Sequence, residues 1–147
     1  MNFRIVSFND LSPIELYGIL KLRSDVFVVE QQCIYSDLDN KDLKSFHAFS
    51  KLKDEIIACS RIVPPGLSYS TPSIGRVAVC NSQRGKKIGK LIMEKSIEKC
   101  KFLFSGMPIT ISAQSYLEKF YFDLGFKTVS EPYLEDNIPH IKMMLEH

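Results

Sequence analysis

The sequence predicts a mixed α/β fold, a central sheet of about seven strands flanked by helices in the order β-α-β-β-β-α-β-α-β-β. Three observations carry that expectation. Residues 45 to 63 alternate as a hairpin about Lys53-Asp54. Two helices open on capping-box patterns, Ser12 with Glu15 and Ser115 with Glu118. Residues 74 to 100 read as a strand, a glycine-bearing turn and a helix, which is the start of a βαβ crossover. An antiparallel first half and a later crossover make the sheet mixed.

The bulk numbers exclude several function classes. The 147 residues fit one domain, residues 1 to 147, large enough to bury roughly 70% of its unfolded surface. A net charge of +2 gives no global case for nucleic acid or a membrane surface. Cys33, Cys59, Cys80 and Cys100 form no metal-ligand or C-x-x-C pattern, and read as reduced thiols of a cytoplasmic protein. The N-terminal residues have no apolar run suited to a signal peptide or a membrane span. A homodimer is compatible with the sequence but is not marked in it.

Along the chain, residues 3 to 8 read as the first strand. Ser12 caps a helix with Pro13 in its first turn, and Leu16, Ile19, Leu20, Arg23 and Phe27 recur at helical spacing. Arg23 interrupts that apolar stripe, as a snorkelling edge residue or as a pocket residue. The pattern changes at Phe27, and Glu30 and Gln31 follow an apolar run. Asp37, Asp39 and Asp42 then lie in a polar loop, read as solvated or as a cation-attracting rim for an amine substrate; it lacks the glycine and closing glutamate of a calcium loop, so no metal is expected. His47 begins the hairpin. A helix is expected from Lys86 to about Lys101, a strand over residues 109 to 113, and a helix from Ser115 that Gly125 stops. Residues 126 to 129 read as a strand, 131 to 137 as an acidic connection, and 138 to 145 as the last strand, carrying His140.

The turn at residues 84 to 90 is the strongest chemical signal. It offers a helix N-terminus, low bulk at Gly85 and Gly89, and positive charge from Arg84, Lys86, Lys87 and Lys90. That combination suits a phosphate group. Neither the P-loop pattern nor the Rossmann glycine pattern is present.

Arg84-Gly85-Lys86-Lys87-Ile88-Gly89 resembles the cofactor motif [Q/R]-x-x-G-x-[G/A] of the GCN5-related N-acetyltransferases (GNAT), with Lys87 where the first glycine is usual. Phe120-Tyr121-Phe122-Asp123-Leu124-Gly125-Phe126 resembles a second feature of that family, and Gln114 stands where many members carry an asparagine. The chain is more closely similar to the ElaA-like branch. The matching stretches are L-R-x-x-V-F-V-V-E-Q from Leu22, D-x-D-x-x-D from Asp37, R-I-V-P-P-G from Arg61, I-G-R-V-A-V from Ile74, S-A-Q from Ser112 and E-D-N-I-P-H from Glu135.

The resemblance implies the GNAT fold, acetyl-CoA as cosubstrate with no metal, and transfer of the acetyl group to an amine by direct attack. It implies that Val77, Ala78 and Val79 hold the acetyl and pantetheine parts through their backbone. Arg84, Gly85, Lys86, Lys87, Ile88, Gly89 and Lys90 would then hold the pyrophosphate, with Gln114 beside the pantetheine arm. Tyr121 matches the tyrosine proposed as acid for the departing thiolate. Glu30, His140, His47, Glu135 and Asp136 are the candidate bases, with Glu30 first and His140 second. Arg23, Glu30, Gln31, His47, Glu135 and Asp136 are the acceptor-side candidates, with an Arg23–Glu30 ion pair shaping the pocket as the alternative to Glu30 as base. The competing class is a non-catalytic acyl-CoA-binding or sensing module, which would keep the 84–89 turn but need neither Tyr121 nor an acidic pocket.

Overall fold

In the first helix, Ser12 Oγ accepts from Glu15 N at 3.1 Å while Glu15 Oε1 accepts from Ser12 N at 2.9 Å. This reciprocal box, with Pro13 in the first turn, starts α1 (Pro13–Arg23). The chain does not leave the helix at Phe27. It continues through a widened helical turn, Ser24–Glu30, that ends with Glu30 within reach of Arg84. The computed structural model describes residues 2–146.

The strands are β1 (Asn2–Ser7), β2 (Phe46–Leu52), β3 (Glu55–Val63), β4 (Ser73–Val79), β5 (Ile109–Gln114), β6 (Lys127–Thr128), β7 (Tyr133–Glu135) and β8 (Ile138–Leu145). They form one mixed sheet in the order β1-β2-β3-β4-β5-β8-β6, with β7 also paired to β8. Every pairing is antiparallel except β4 with β5. The seven-strand expectation describes the main path, and β7 is an eighth strand inside the expected acidic connection.

The period-two alternation of the strands sorts the core onto two faces. Phe49 and Cys59 pack with Ile19, Leu22 and Val26 of the first helical segment. Their neighbours Ala48 and Ala58 pack with Ile88 and Ile92 of α2 (Ile88–Leu103). Further along α2, Met93, Ile97 and Cys100 meet Ile74, Ile109 and Ile111. The first helical segment therefore covers one face and α2, joined by Tyr121, the other, with β4 between them.

Three expected boundaries shift. The second long helix begins at Ile88, not Lys86, because Lys87 is left-handed (φ 63°). The capping box at Ser115 does not form: its Oγ is shielded from solvent with no hydrogen-bond partner, and Ser115–Leu117 is a tight turn ahead of α3 (Glu118–Asp123). Of residues 126 to 129, only Lys127–Thr128 pair as a strand. Gly125 does stop α3, at φ 104°.

Candidate functional site

Among the described residues, β4 and β5 share one register pair, Ser73 with Thr110, and then diverge. The edge of β4 that faces β5 is thereby released from the ladder over the rest of the strand. Divergence at the carboxyl ends of parallel strands is where α/β sheets accept ligands. The gap opens into a cavity of about 1320 Å³ lined by Val77, Ala78, Val79, Gln114 and Tyr121 at its centre. In mid-strand β4 bulges, placing Arg76 and Val77 opposite the single residue Ser60, with Arg76 at φ 49°.

One end of the cavity is the turn after β4. Gly85 stands at φ 79°, and a Cβ there would meet nothing within 4 Å, so conformation and not space calls for glycine. A Cβ on Gly89 would lie 3.6 Å from Val79 Cγ2, an ordinary contact. Lys87 holds the left-handed conformation that the usual glycine adopts freely, so the turn geometry survives the substitution. No side chain caps α2, and the first closed helical bond runs from Leu91 N to Lys87 O at 3.1 Å. The N–H groups of Ile88, Gly89 and Lys90 therefore have no intrahelical acceptor. Gly85, Lys87, Ile88, Gly89 and Lys90 line the cavity, whereas Lys86 lies off it with Nζ on Gln83 Oε1 at 3.1 Å.

Arg84 joins this end to the Ser24–Glu30 segment. Its Nη1 lies 2.8 Å from Glu30 Oε1, its Nη2 donates to Glu30 Oε2 at 3.1 Å, and its Nε donates to Val79 O at 3.1 Å. The expected partner of Glu30 was Arg23; the structure pairs Glu30 with Arg84 instead.

The other end is polar and acidic. His140 lies opposite Gln114 on β5, with Nδ1 on Ile138 O at 2.7 Å and Nε2 3.5 Å from Glu135 Oε2. A carbonyl only accepts, so Nδ1 carries a proton, and Nε2 faces the Glu135 carboxylate. Tyr133 stacks on the imidazole at 6.2 Å and shares a 2.5 Å bond with Ser112 Oγ, which also reaches Glu135 Oε1 at 3.3 Å. Gln114 Nε2 donates to Gln31 Oε1 at 3.4 Å, and Asp136 O accepts from Cys33 Sγ at 3.4 Å, bringing the segment after Glu30 against the 135–138 turn. Glu30, Gln31, Glu135, Asp136 and His140 all line the cavity.

Tyr121 projects from α3 between these ends, edge-on to Phe120 at 5.0 Å and Phe126 at 6.0 Å. Burial among apolar groups pushes its phenol up to about 12, so the hydroxyl stays protonated.

Two expected acceptor residues lie elsewhere. Arg23 is 1% exposed and does not line the cavity; it donates from Nε to Asp37 Oδ2 at 2.9 Å and from Nη1 to Asp42 Oδ1 at 2.8 Å. His47 is likewise buried off the cavity, with Nε2 on Asp42 O at 2.9 Å. The reason is that the aspartate loop is not a solvated rim. Asp37, Asp39 and Asp42 fold inward onto Arg23, Arg61 and Arg76, and that charge must be paired where it is buried.

Ser112, Tyr133, Tyr69 and Arg76 line or border the cavity and were not picked out from the sequence. The available signal was Gly75, an isolated glycine inside an apolar strand, which marks a bulge. Tyr133 carries no such mark, because its role depends on β7 folding back onto β8.

Comparison with known proteins agrees with this geometry. A family model described as "Acetyltransferase (GNAT) domain" matches residues 20–147. Protein ElaA of Escherichia coli strain K12 is 41% identical over 140 residues, covering 94% of this chain and 92% of that protein. The crystal structure of Escherichia coli ElaA superposes with a TM-score of 0.93 at 39% identity, covering 99% of this chain and 100% of that one. An acyl-CoA N-acyltransferase from Pseudomonas aeruginosa superposes equally well, with a TM-score of 0.93 at 36% identity and 98% of both chains covered.

Proposed function

The chain belongs to the GNAT acetyltransferase family, and from that premise we propose that it moves an acetyl group from acetyl-CoA to the amine of a small molecule or peptide. The observation that carries this reading is the single cavity running from the open N-terminus of α2, past the released edge of β4, to His140 and Glu135. A CoA thioester supplies an already activated acyl group. What remains for the protein is grip, alignment and two proton movements.

The residues fit those tasks. The unpaired N–H groups at the start of α2, with Lys87 and Lys90, suit a pyrophosphate. The released edge at Val77 and Val79 offers backbone donors to the thioester oxygen, where negative charge develops, while the Ala78 N–H between them turns to Cys59 on β3. Tyr121 supplies a donor that keeps its proton at working pH, suited to the departing thiolate. For the base, the geometry favours His140 over Glu30. His140 lines the cavity with a carboxylate, Glu135, beside the nitrogen that would take the proton, whereas both Glu30 oxygens engage Arg84. Glu135 and Asp136 at the mouth favour a cationic amine as the incoming acceptor. Among the described residues no helix is long and apolar enough to cross a membrane, and we place the protein in the cytoplasm with its CoA pool.

Calorimetry with acetyl-CoA, followed by thiol release over small amines, polyamines and peptide N-termini, tests the proposal. Saturable binding with acceptor-dependent release is the expected result. Binding that produces no release with any amine favours an acyl-CoA sensor, and absence of binding removes the reading altogether.

A further inference from the structure

Arg76 lies in mid-β4 on the lining of the cavity. Its backbone forms the β4 bulge at φ 49°, a conformation that glycine adopts freely and arginine does not. No glycine occupies the position; Gly75 precedes it in the strand with nothing within 4 Å of its Cβ direction. Something other than intrinsic preference holds the bulge.

The side chain supplies it. Arg76 Nε lies 2.8 Å from Asp37 Oδ1, as an ion pair rather than an aligned hydrogen bond. Nη2 donates to Asp37 O at 3.0 Å and stands 3.5 Å from Asp39 Oδ2. The guanidinium also lies over the Tyr35 ring at 5.7 Å, and Tyr35 OH donates to Asp37 Oδ1 at 3.0 Å. From the backbone side, Arg76 O is within 3.6 Å of Cys59 Sγ. Asp37 and Asp39 are themselves fixed by Arg23 and Arg61. The residue is therefore anchored at its far end to a rigid loop.

We propose that Arg76 is a positioning residue: its clamp on Asp37 and Asp39 holds the β4 bulge open, and so aims the backbone N–H of Val77 into the gap between β4 and β5. Without the clamp, a residue with a Cβ at position 76 returns to ordinary extended geometry, and β4 re-pairs against β3. The inference rests on the acyl-transfer reading for its catalytic consequence, but its structural core does not. It also ties the aspartate loop to β4 through one side chain.

Arg76→Ala and Arg76→Gly separate this role from a merely stabilising one. Both variants remove the same ion pairs and leave Asp37 on Arg23 and Asp39 on Arg61, so a role confined to stability affects both alike. Only glycine keeps the left-handed backbone at no steric cost. The first readout is the ¹⁵N–¹H amide shifts of Val77 and Ala78 without ligand, which needs neither binding nor turnover. Arg76→Gly is expected to retain the wild-type shifts, and Arg76→Ala to move them towards regular strand values. The second readout is kinetic: kcat falls about 10- to 100-fold in Arg76→Ala and less than about fivefold in Arg76→Gly, as expected when alignment is lost and regained. CoA affinity stays within about threefold in both, because the pyrophosphate end is untouched. Wild-type amide shifts in Arg76→Ala, or equal displacement in the two variants, overturn the proposal. A wild-type protein that binds no acyl-CoA instead overturns the acyl-transfer reading, while the ligand-free shifts still decide the clamp.

Discussion

Arg84 and Glu30 meet across the cavity mouth as a bidentate pair, 2.8 and 3.1 Å apart at their two contacts, with side chains 43% and 35% exposed. A pair this open contributes at most about 1 kcal/mol to stability, and salt weakens it further. Its greater effect is on the charge that Arg84 can offer to a phosphate. Glu30→Gln is expected to tighten CoA binding about two- to fivefold at low ionic strength, an advantage that fades as salt is raised. Titration calorimetry at two salt concentrations measures it; equal affinity in variant and wild type would show that Arg84 does not serve the cofactor.

The same pair bears on the choice of base. With both Glu30 oxygens engaged, His140→Gln is expected to lower kcat about 10²-fold with little change in the KM for acetyl-CoA, and Glu30→Gln by less than about tenfold. Steady-state kinetics on the two variants rank them, and the reverse ranking returns the base to Glu30.

Tyr121 is held by Phe120 and Phe126, and its ring contributes to the core as well as its hydroxyl to the cavity. Tyr121→Phe keeps the ring, so melting temperature and acetyl-CoA affinity are expected to stay close to wild type while kcat falls about 10- to 100-fold. Unchanged turnover would leave Tyr121 a packing residue only.

Lys87 carries a left-handed backbone at the start of α2, at φ 63° and ψ 20°. A Cβ there costs about 1–2 kcal/mol, and glycine returns part of that gain to the unfolded chain as entropy. Lys87→Gly is therefore expected to stabilise the protein by about 0.5–1 kcal/mol, raising Tm by about 1–4 °C for a chain of this size. CoA binding should change less than about threefold, since the N–H that faces the cavity is retained and one screened charge is lost. Differential scanning calorimetry and binding titration check the two parts separately; a lower Tm would contradict the strain.

Local signals were legible in the sequence because local physics sets them. Ser12 with Glu15, the Lys53-Asp54 turn and Gly125 each act within four residues of themselves, and each appears in the structure as expected. The glycine turn was legible for the same reason, down to the anomaly at Lys87. Arg23 and His47 were misplaced because their surroundings are made by residues 14 to 19 positions away along the chain, or by the loop they anchor. No periodicity announces that three aspartates will turn inward onto three arginines. The failed cap at Ser115 is similar: a tight turn, Ser115–Leu117, follows β5 directly, and the local motif yields.

That inward-turned cluster gives the protein a defined acid response. Burial alone would raise the Asp39 carboxyl, but the hydrogen bonds and charge of Arg61, the Lys41 N–H and Arg76 outweigh it and hold the group down at about 2. Burial opposes Asp42 in the same way, and Arg23 and Arg61 hold it below the usual carboxylate range. Both are lower in the folded than in the unfolded chain, where aspartate titrates near about 3.9. Their stabilisation is therefore complete above that value and is lost as pH falls through the folded values. His47 adds an earlier step. Burial pushes its imidazole down, so the unfolded chain takes up its proton first, near about 6.5, and stability declines from there as pH falls. Urea unfolding from pH 8 to pH 3 is expected to show a shallow decline below about 6.5 that His47→Gln removes, and a steeper one below about 4 that Asp39→Asn weakens. Asp42→Ala, which leaves the buried Arg23 short of its principal partner, is expected to cost about 3–5 kcal/mol at pH 7. Wild-type stability that stays flat from pH 7 to pH 5 would refute the His47 step, and an Asp42→Ala loss below about 1 kcal/mol would show that the loop reorganises around the unpaired arginine.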